Sequence, residues 1–427
     1  MVEPRNPSRA NRDSVRASRE PLAEPATANA FASGADQAGV RMYNERLLLS
    51  LVRRFGPLSK IEVARMTGLS VQSSSAIMNR LQADGLLRRE APLRGRVGQP
   101  TVPVTLDPEG AFSLGLKIGR RSCDLVLIDF CGVIRRRAKS TFHYPTPDHV
   151  LDFVKRALPE VTGGLNGAQS RRIAGLGIAS PFQLWSWSTE IGAPAGAMDE
   201  WRNISIADEV GRLYPYPVTL CNDATAACAA EFFFGEAWRE RDFLYFFIGT
   251  FLGGGLVLDG ALYEGRTGNA AALGSMPIAA PDGSGVSQLM AWASICKLEQ
   301  RVEAAGLDPQ SIWRDPAAWD DFGEVTQRWI DDSASAIAQA IVAAASVVDV
   351  AAVVIDGAMP TWVRDQIQHS VAARLETLDR RGLSDLKVLE GGIGADARAI
   401  GGAALPLIKN FARDREVLLK DIGSGQT

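Results

Sequence analysis

The apolar residues of this chain change their spacing once, near residue 105, and that change limits the folds open to it. From Asn44 to Gly85 they recur at helical intervals; from Phe112 onward short apolar strands alternate with helices. A helix-period pattern does not sit as a sheet, nor a strand-period pattern as a helix, so modules of different class are required. A length of 427 residues agrees with two or three domains.

In the first module, Leu47, Leu48, Leu51, Val52 and Phe55 predict a helix ended by Gly56-Pro57. Ser59 and Glu62 form a capping box, opening a short helix with Ile61, Val63, Ala64 and Met66. Thr67-Gly68-Leu69 makes a turn. Ser70 caps a third helix, expected to turn Ala76, Ile77 and Leu81 inward and to stop at Asp84-Gly85. Leu86–Arg89 and Thr101–Thr105 read as strands around the basic, Gly-rich loop Arg94–Pro100. Three helices followed by a basic hairpin is a winged helix-turn-helix.

Charge is distributed to match. Residues 41–105 hold eleven Lys and Arg against four Asp and Glu, while the rest of the chain is net acidic. One end is therefore suited to a polyanion. A recognition helix presents polar side chains at its N-terminal end to base edges in the major groove. Ser70, Gln72, Ser73 and Ser74 stand there, with Asn79 further along; Gln pairs with the adenine edge and Ser donates or accepts. Arg80, Arg94 and Arg96 suit phosphates or the minor groove. The partner expected is double-stranded DNA, read as a pseudo-palindromic operator by a homodimer or homotetramer. A helical hairpin that contacts protein is the competing reading.

Other classes are disfavoured. No apolar run approaches the ~20 residues of a membrane helix, and the polar, Arg-rich N-terminus lacks a secretory pattern, so a cytoplasmic protein with no membrane partner is expected. Cys123, Cys131, Cys221, Cys228 and Cys296 show neither C-x-x-C nor zinc-like spacing and read as buried reduced thiols. No cofactor and no metal are expected.

The body shows a meander at Phe112–Ile118, Ser122–Asp129 and Val133–Lys139, then strands at Ile173–Ala179, Pro217–Cys221, Phe243–Ile248, Gly254–Leu258, Val353–Asp356 and Lys387–Glu390. Helices are expected at 150–158, 224–234, 289–304, 332–348, 361–378 and 397–411. The fold class is α/β, in two similar halves. We divide the chain into a disordered tail at 1–40, a winged helix-turn-helix at 41–108, a first lobe at 109–225, a second lobe at 226–396, and a C-terminal helix and tail at 397–427 that packs back on the first lobe.

Several short stretches stand in a specific order and spacing: Gly98-Gln99-Pro100, Cys221-Asn222-Asp223-Ala224 with Ala230-Glu231, Gly249–Gly255, Gly265–Gly274, Ile355-Asp356-Gly357 and Gly391–Gly394. Together, over roughly residues 41–410, they resemble the ROK family of repressors and sugar kinases. The resemblance implies a two-lobed, actin-like (ribonuclease H-like) body with a sugar site in its cleft. In that family an Asp after Asn is the catalytic base, and Asp223 matches it. The family's phosphate turn, D-x-G-G-T, is matched by Lys117-Ile118-Gly119-Arg120-Arg121, where Lys replaces the acid and two Arg replace Gly and Thr. Phosphoryl transfer depends on positioning and charge stabilisation around such a turn; with it lost, no catalytic residue is assigned.

The family's sugar contacts are also thinned. Ala197 stands before Trp201 where the family has Asn, and Ala272 and Ser275 replace Glu and His; Asn222 and Asp223 remain. Asn222, Asp223, Ala272 and Ser275 are therefore the candidate ligand positions, for a sugar, a less polar compound, or nothing. The family's cysteine cluster is absent from Pro281–Gln288. Trp185 and Trp187 either stack on a ligand or pack between lobes, and Asp223 either contacts ligand or only favours its helix N-terminus. The reading is a repressor of carbohydrate or related catabolic and transport genes, controlled by an effector in the cleft. A carbohydrate kinase with an added module and an effector-independent DNA-binding dimer are the alternatives.

Overall fold

A computed structural model describes residues 37–92, 102–188, 192–314 and 316–413. The first module contains helices α1 (Gln37–Phe55), α2 (Lys60–Thr67) and α3 (Val71–Ala83), then strands β1 (Leu87–Arg89) and β2 (Val104–Leu106), paired antiparallel. Helix α1 begins at Gln37, within the segment expected to be tail. The capping box holds: Glu62 accepts the Ser59 amide at 2.8 Å and the Ser59 hydroxyl accepts the Glu62 amide. Gly68 closes α2 in the left-handed region at φ 73°, a conformation glycine adopts without a Cβ clash.

Ser70 caps α3 as expected, but its inward face is Ser74, Met78 and Leu81, with Ala76 exposed. The packing of α3 against α1 and β1 sets this phase, and residue polarity does not reveal it.

The body follows one plan twice. Strands β3 (Phe112–Ile118), β4 (Ser122–Asp129) and β5 (Ile134–Thr141) form an antiparallel meander. Helices α4 (Pro147–Thr162) and α5 (Gly167–Ser170) lead to β6 (Ile173–Ser180), and α6 (Ile206–Leu213) to β7 (Val218–Asn222). Strand β6 pairs with β3 in parallel and β7 pairs with β6 in parallel, giving the order β5-β4-β3-β6-β7. Helix α7 (Asp223–Phe234) crosses to the second half, where β8 (Phe243–Ile248), β9 (Leu252–Leu258) and β10 (Ala261–Leu262) are antiparallel. A small hairpin, β11 (Pro277–Ala279) and β12 (Val286–Gln288), precedes helices α8 (Met290–Ala293), α9 (Ile295–Ala304), α10 (Ser311–Arg314), α11 (Ala318–Asp321) and α12 (Glu324–Ala345). Then β13 (Ala352–Gly357), α13 (Thr361–Leu375) and β14 (Lys387–Glu390) complete the sheet β10-β9-β8-β13-β14. Helix α14 (Ala397–Phe411) returns to the first sheet and packs on β3, β6 and α7. The boundary expected between 225 and 226 runs through α7.

The single helix expected at 289–304 is two, because Ser294 is extended between α8 and α9; its hydroxyl accepts the Leu252 amide at 2.9 Å. The glycine cluster Gly253–Gly255 lies in strand β9, where a Cβ on Gly255 would come within 2.3 Å of the Cβ of Cys228. Glycine there lets α7 lie directly on the strand.

The first module is welded to the first lobe. Leu48, Leu49, Val52, Leu58 and Met78 share one apolar cluster with Val126, Ile128 and Phe130 of the lobe and with Ala403, Ala404 and Leu407 of α14. Arg53 donates to the Phe130 carbonyl at 2.8 Å and lies over the rings of Phe130, Phe233 and Phe234 at 4.8, 4.2 and 5.3 Å. Burial lowers its pKa to about 10, so it remains charged at neutral pH. Arg172 of the lobe donates to the carbonyls of Asp84 and Gly85 at the end of α3, both at 3.2 Å. Cys131 is exposed, against expectation, because it sits in the β4–β5 turn; the other four cysteines are buried. Burial raises the thiols of Cys123 and Cys221 to about 12.

Candidate functional site: an interlobe cleft beneath a DNA-binding module

A cleft of about 680 Å³ opens between the lobes, within the range of drug-sized ligand sites. Phe182, Trp185, Trp187 and Trp201 line it from the first lobe, and Phe247, Phe251 and Met290 from the second. Asn222 and Asp223 stand at its floor, where β7 gives way to α7, and Ala272 and Ser275 line the facing loop. All four candidate ligand positions therefore meet in one cavity. Asn269 and Gln183 join them, unanticipated from sequence. Gln183 and Ala271 hold left-handed backbone at φ 53° without being glycine, a strain that is tolerated where surrounding packing fixes a binding surface.

The polar groups are partly committed within the chain. The Asn222 side-chain oxygen caps α7, accepting the Ala224 amide at 3.0 Å. Asp223 accepts from Arg398 at 3.3 Å, and Arg398 lies over Phe247 at 4.9 Å. Trp201 gives its indole N–H to the Pro145 carbonyl at 2.8 Å, leaving only its ring for the cleft. Ala197 does not line the cavity.

The turn aligned with the phosphate loop is filled by side chains. Lys117 donates to Ser122 at 2.6 Å and Asp124 at 3.0 Å, and burial pushes its ammonium below its ordinary range. The Arg120 guanidinium lies 5.2 Å from the Trp187 ring and 4.3 Å from that of Phe251. Arg121 bridges to Glu299 of α9 at 3.0 Å. The hairpin is thus bound to the second lobe by cation–π contacts and an ion pair. Trp187 also packs on Phe251 of the second lobe at 5.0 Å while lining the cleft.

A second polar cluster lies behind the cleft. Asp356 accepts from Tyr245, Gly357, Gly394 and Arg364, and Glu231 from the amides of Glu236, Ala237 and Gly392. Burial pushes both carboxyls above their usual range. Two glycine turns are thereby tied to carboxylates of the chain itself.

On the DNA-binding side, Gln72, Ser73 and Asn79 are exposed on α3. Ser70 is engaged as the cap and donates to the Ser73 hydroxyl at 2.8 Å. Arg80 is exposed and paired with Glu45 at 3.1 Å. Ser74 is fully buried and cannot reach a groove, so its assignment as a DNA contact is withdrawn. Arg94 and Arg96 lie outside the described residues. Among the described residues no group of His, Cys, Asp and Glu could hold a metal, and no helix is long and apolar enough to cross a membrane.

Known proteins agree with this arrangement. The ROK family model matches residues 113–408, and a MarR family model matches residues 43–96. An uncharacterised protein, y4fQ, from Sinorhizobium fredii is 25% identical over 86% of this chain and 91% of its own length. The xylose repressor of Bacillus subtilis is 25% identical over 57% of this chain and 62% of its own length, so less than two thirds of that protein is matched. A solved ROK family transcriptional regulator, a homologue of the Escherichia coli MLC protein, shares the fold with a TM-score of 0.61 at 20% identity, covering 87% of this chain and 97% of the other. The chain belongs to the ROK family and carries a MarR-like winged helix at its N-terminus.

Proposed function

We propose that this protein is a DNA-binding transcriptional regulator, a repressor of carbohydrate or related catabolic and transport genes, that takes a small-molecule effector in its interlobe cleft. The observation that carries the reading is the DNA-binding module sharing one core with a lobe of a sugar-kinase-like body, beside an open cleft. Gln72 and Ser73 contact base edges, Asn79 and Arg80 the flanking backbone, and Arg94 and Arg96 the adjacent phosphates or minor groove. A homodimer or homotetramer in the cytoplasm would place two such modules on a pseudo-palindromic operator. The effector is sugar-like: aromatic walls suit a ring face, and Asn222, Asp223 and Ser275 suit hydroxyls.

The body works as a receptor and not as an enzyme. Arg120, Trp187 and Phe251 fill the turn that would cradle phosphates, and Asp223 is paired with Arg398. A coupled ADP-release assay with common sugars should stay at background; sugar-dependent turnover would restore the kinase reading. The direct test is selection of genomic fragments by the purified protein at roughly 150 mM salt, where phosphate contacts alone are weak. A palindromic site beside a transport or catabolic operon is expected. No enrichment above non-specific binding would refute the assignment.

A further inference from the structure

Helices α7 and α14 run side by side from the cleft to the DNA-binding module. At the cleft end, Asp223 in the first turn of α7 is paired with Arg398 in the first turn of α14, with side chains only 13% and 11% exposed. Along their length the helices meet backbone to backbone: a Cβ on Gly401 would come within 1.8 Å of the Ala226 carbonyl oxygen. At the far end α7 supplies Phe233 and Phe234, and α14 supplies Phe411, which packs edge-on against Phe130 at 4.9 Å. Arg53 of α1 sits over Phe130, Phe233 and Phe234. A continuous run of packed groups thus spans the length of α14, about 22 Å for its 15 residues.

We propose that the Asp223–Arg398 pair is the contact through which the DNA-binding module reads the cleft, with Arg398 as a positioning residue that touches neither effector nor DNA. The inference rests on the regulator reading above. Arg398 joins three bodies: its own helix, Asp223 at the cleft floor, and Phe247 on β8 of the second lobe. A neutral ligand that donates a hydroxyl to Asp223 competes with the guanidinium for the carboxylate. Movement of the second lobe displaces Phe247 from beneath it. A buried cation cannot be left without its partner at low cost, so Arg398 re-seats and the first turn of α14 moves with it. The buried face of α14 is small over Ala399, Gly401, Gly402 and Ala403, and the large Leu405, Pro406 and Leu407 follow toward the far end, so a small shear begun at the first turn carries the helix as one unit. That shear is delivered at Phe411 to the cluster around Arg53. An anionic ligand at this end of the cleft would be repelled by Asp223.

The test needs no effector. Arg398→Gln, Asp223→Asn and the double variant are compared on the strongest DNA site that the wild-type protein selects from a random pool, and by hydrogen exchange over Leu48–Phe55 of α1. Each single variant should shift DNA affinity by about threefold or more in the same direction, with the double no further than either single. Exchange in α1 should quicken in all three. Arg398→Lys should recover part of both effects. Arg137→Gln, which breaks an exposed pair with Asp396 nearby, should change neither. Wild-type DNA affinity together with wild-type exchange in both single variants would overturn the proposal. Effects that add in the double would also overturn it. If the wild-type protein selects no site, the regulator reading has failed on its own, and unchanged α1 exchange would then refute the coupling separately. Melting curves identify a variant that does not fold; Asp223→Asn and Arg398→Lys then carry the comparison.

Discussion

Ser74 is wholly buried on α3, and its hydroxyl oxygen has no hydrogen-bond partner among the described residues. A buried hydroxyl without a partner costs about 1–3 kcal/mol. Ser74→Ala should therefore leave DNA affinity unchanged and raise the denaturant midpoint by an amount worth about 1 kcal/mol; weakened DNA binding would return Ser74 to the interface. Gln72→Ala should cost about 1–3 kcal/mol of discrimination at one base position, read by competition with mutated sites. Glu62 shows a sign that pH can test. Its bonds to Ser59 hold the carboxyl below the ordinary 4.5, so the stabilisation is complete above 4.5 and fades as pH falls through the lower folded value. Wild-type melting temperature should fall more steeply below pH 4.5 than that of Glu62→Gln, and parallel curves would contradict this. At this scale the capping box and Asp223 were legible because their signals are local or carried by a motif. Arg398 was not, since its partner lies 175 residues away and nothing near it marks an ion pair.

Among elements, α3 depends on a residue outside its own module. Arg172 covers carbonyls that the last turn of α3 leaves free, where a cation also meets the negative end of the helix dipole. Arg172→Ala should lower DNA affinity several-fold while adding no new salt dependence, because no phosphate contact is lost. A reduced salt slope would instead mean that Arg172 touches DNA. The strands of both lobes were readable from apolar runs, and their like order in the two sheets explains why the halves look alike without a sequence repeat. The break at Ser294 was not readable: the continuous apolar pattern from 289 to 304 is helical, and the groups that hold the kink, the Leu252 amide, the Gly249 carbonyl and the Trp329 indole, are distant in sequence.

Over the whole molecule, the DNA-binding module and the first lobe form one body, with Arg53 and the shared apolar cluster between them. Any motion of the first lobe is therefore expected to carry the module with it. Leu48→Ala, at a side chain with no exposure, should cost about 2–5 kcal/mol and lower the unfolding of the lobe together with that of the module. The measurement is hydrogen exchange of β4 and α1 across a denaturant series. A variant in which α1 opens early while β4 keeps wild-type protection would show that the two are separable. The two-module plan was visible in the change of apolar period. The weld was not, because Leu48, Val52 and Phe130 read equally well as the interior of separate domains.

The shared cluster also has a consequence for how the protein is made. Leu48 and Val52 leave the ribosome well before the side chains that finish their core, Ala403, Ala404 and Leu407. At the ~5–20 residues per second of translation, the nascent module waits on the order of half a minute for its final helix. A chain cut short before α14 carries a recognition helix on an unfinished base. The base of the recognition helix is thus completed only once α14 has been made.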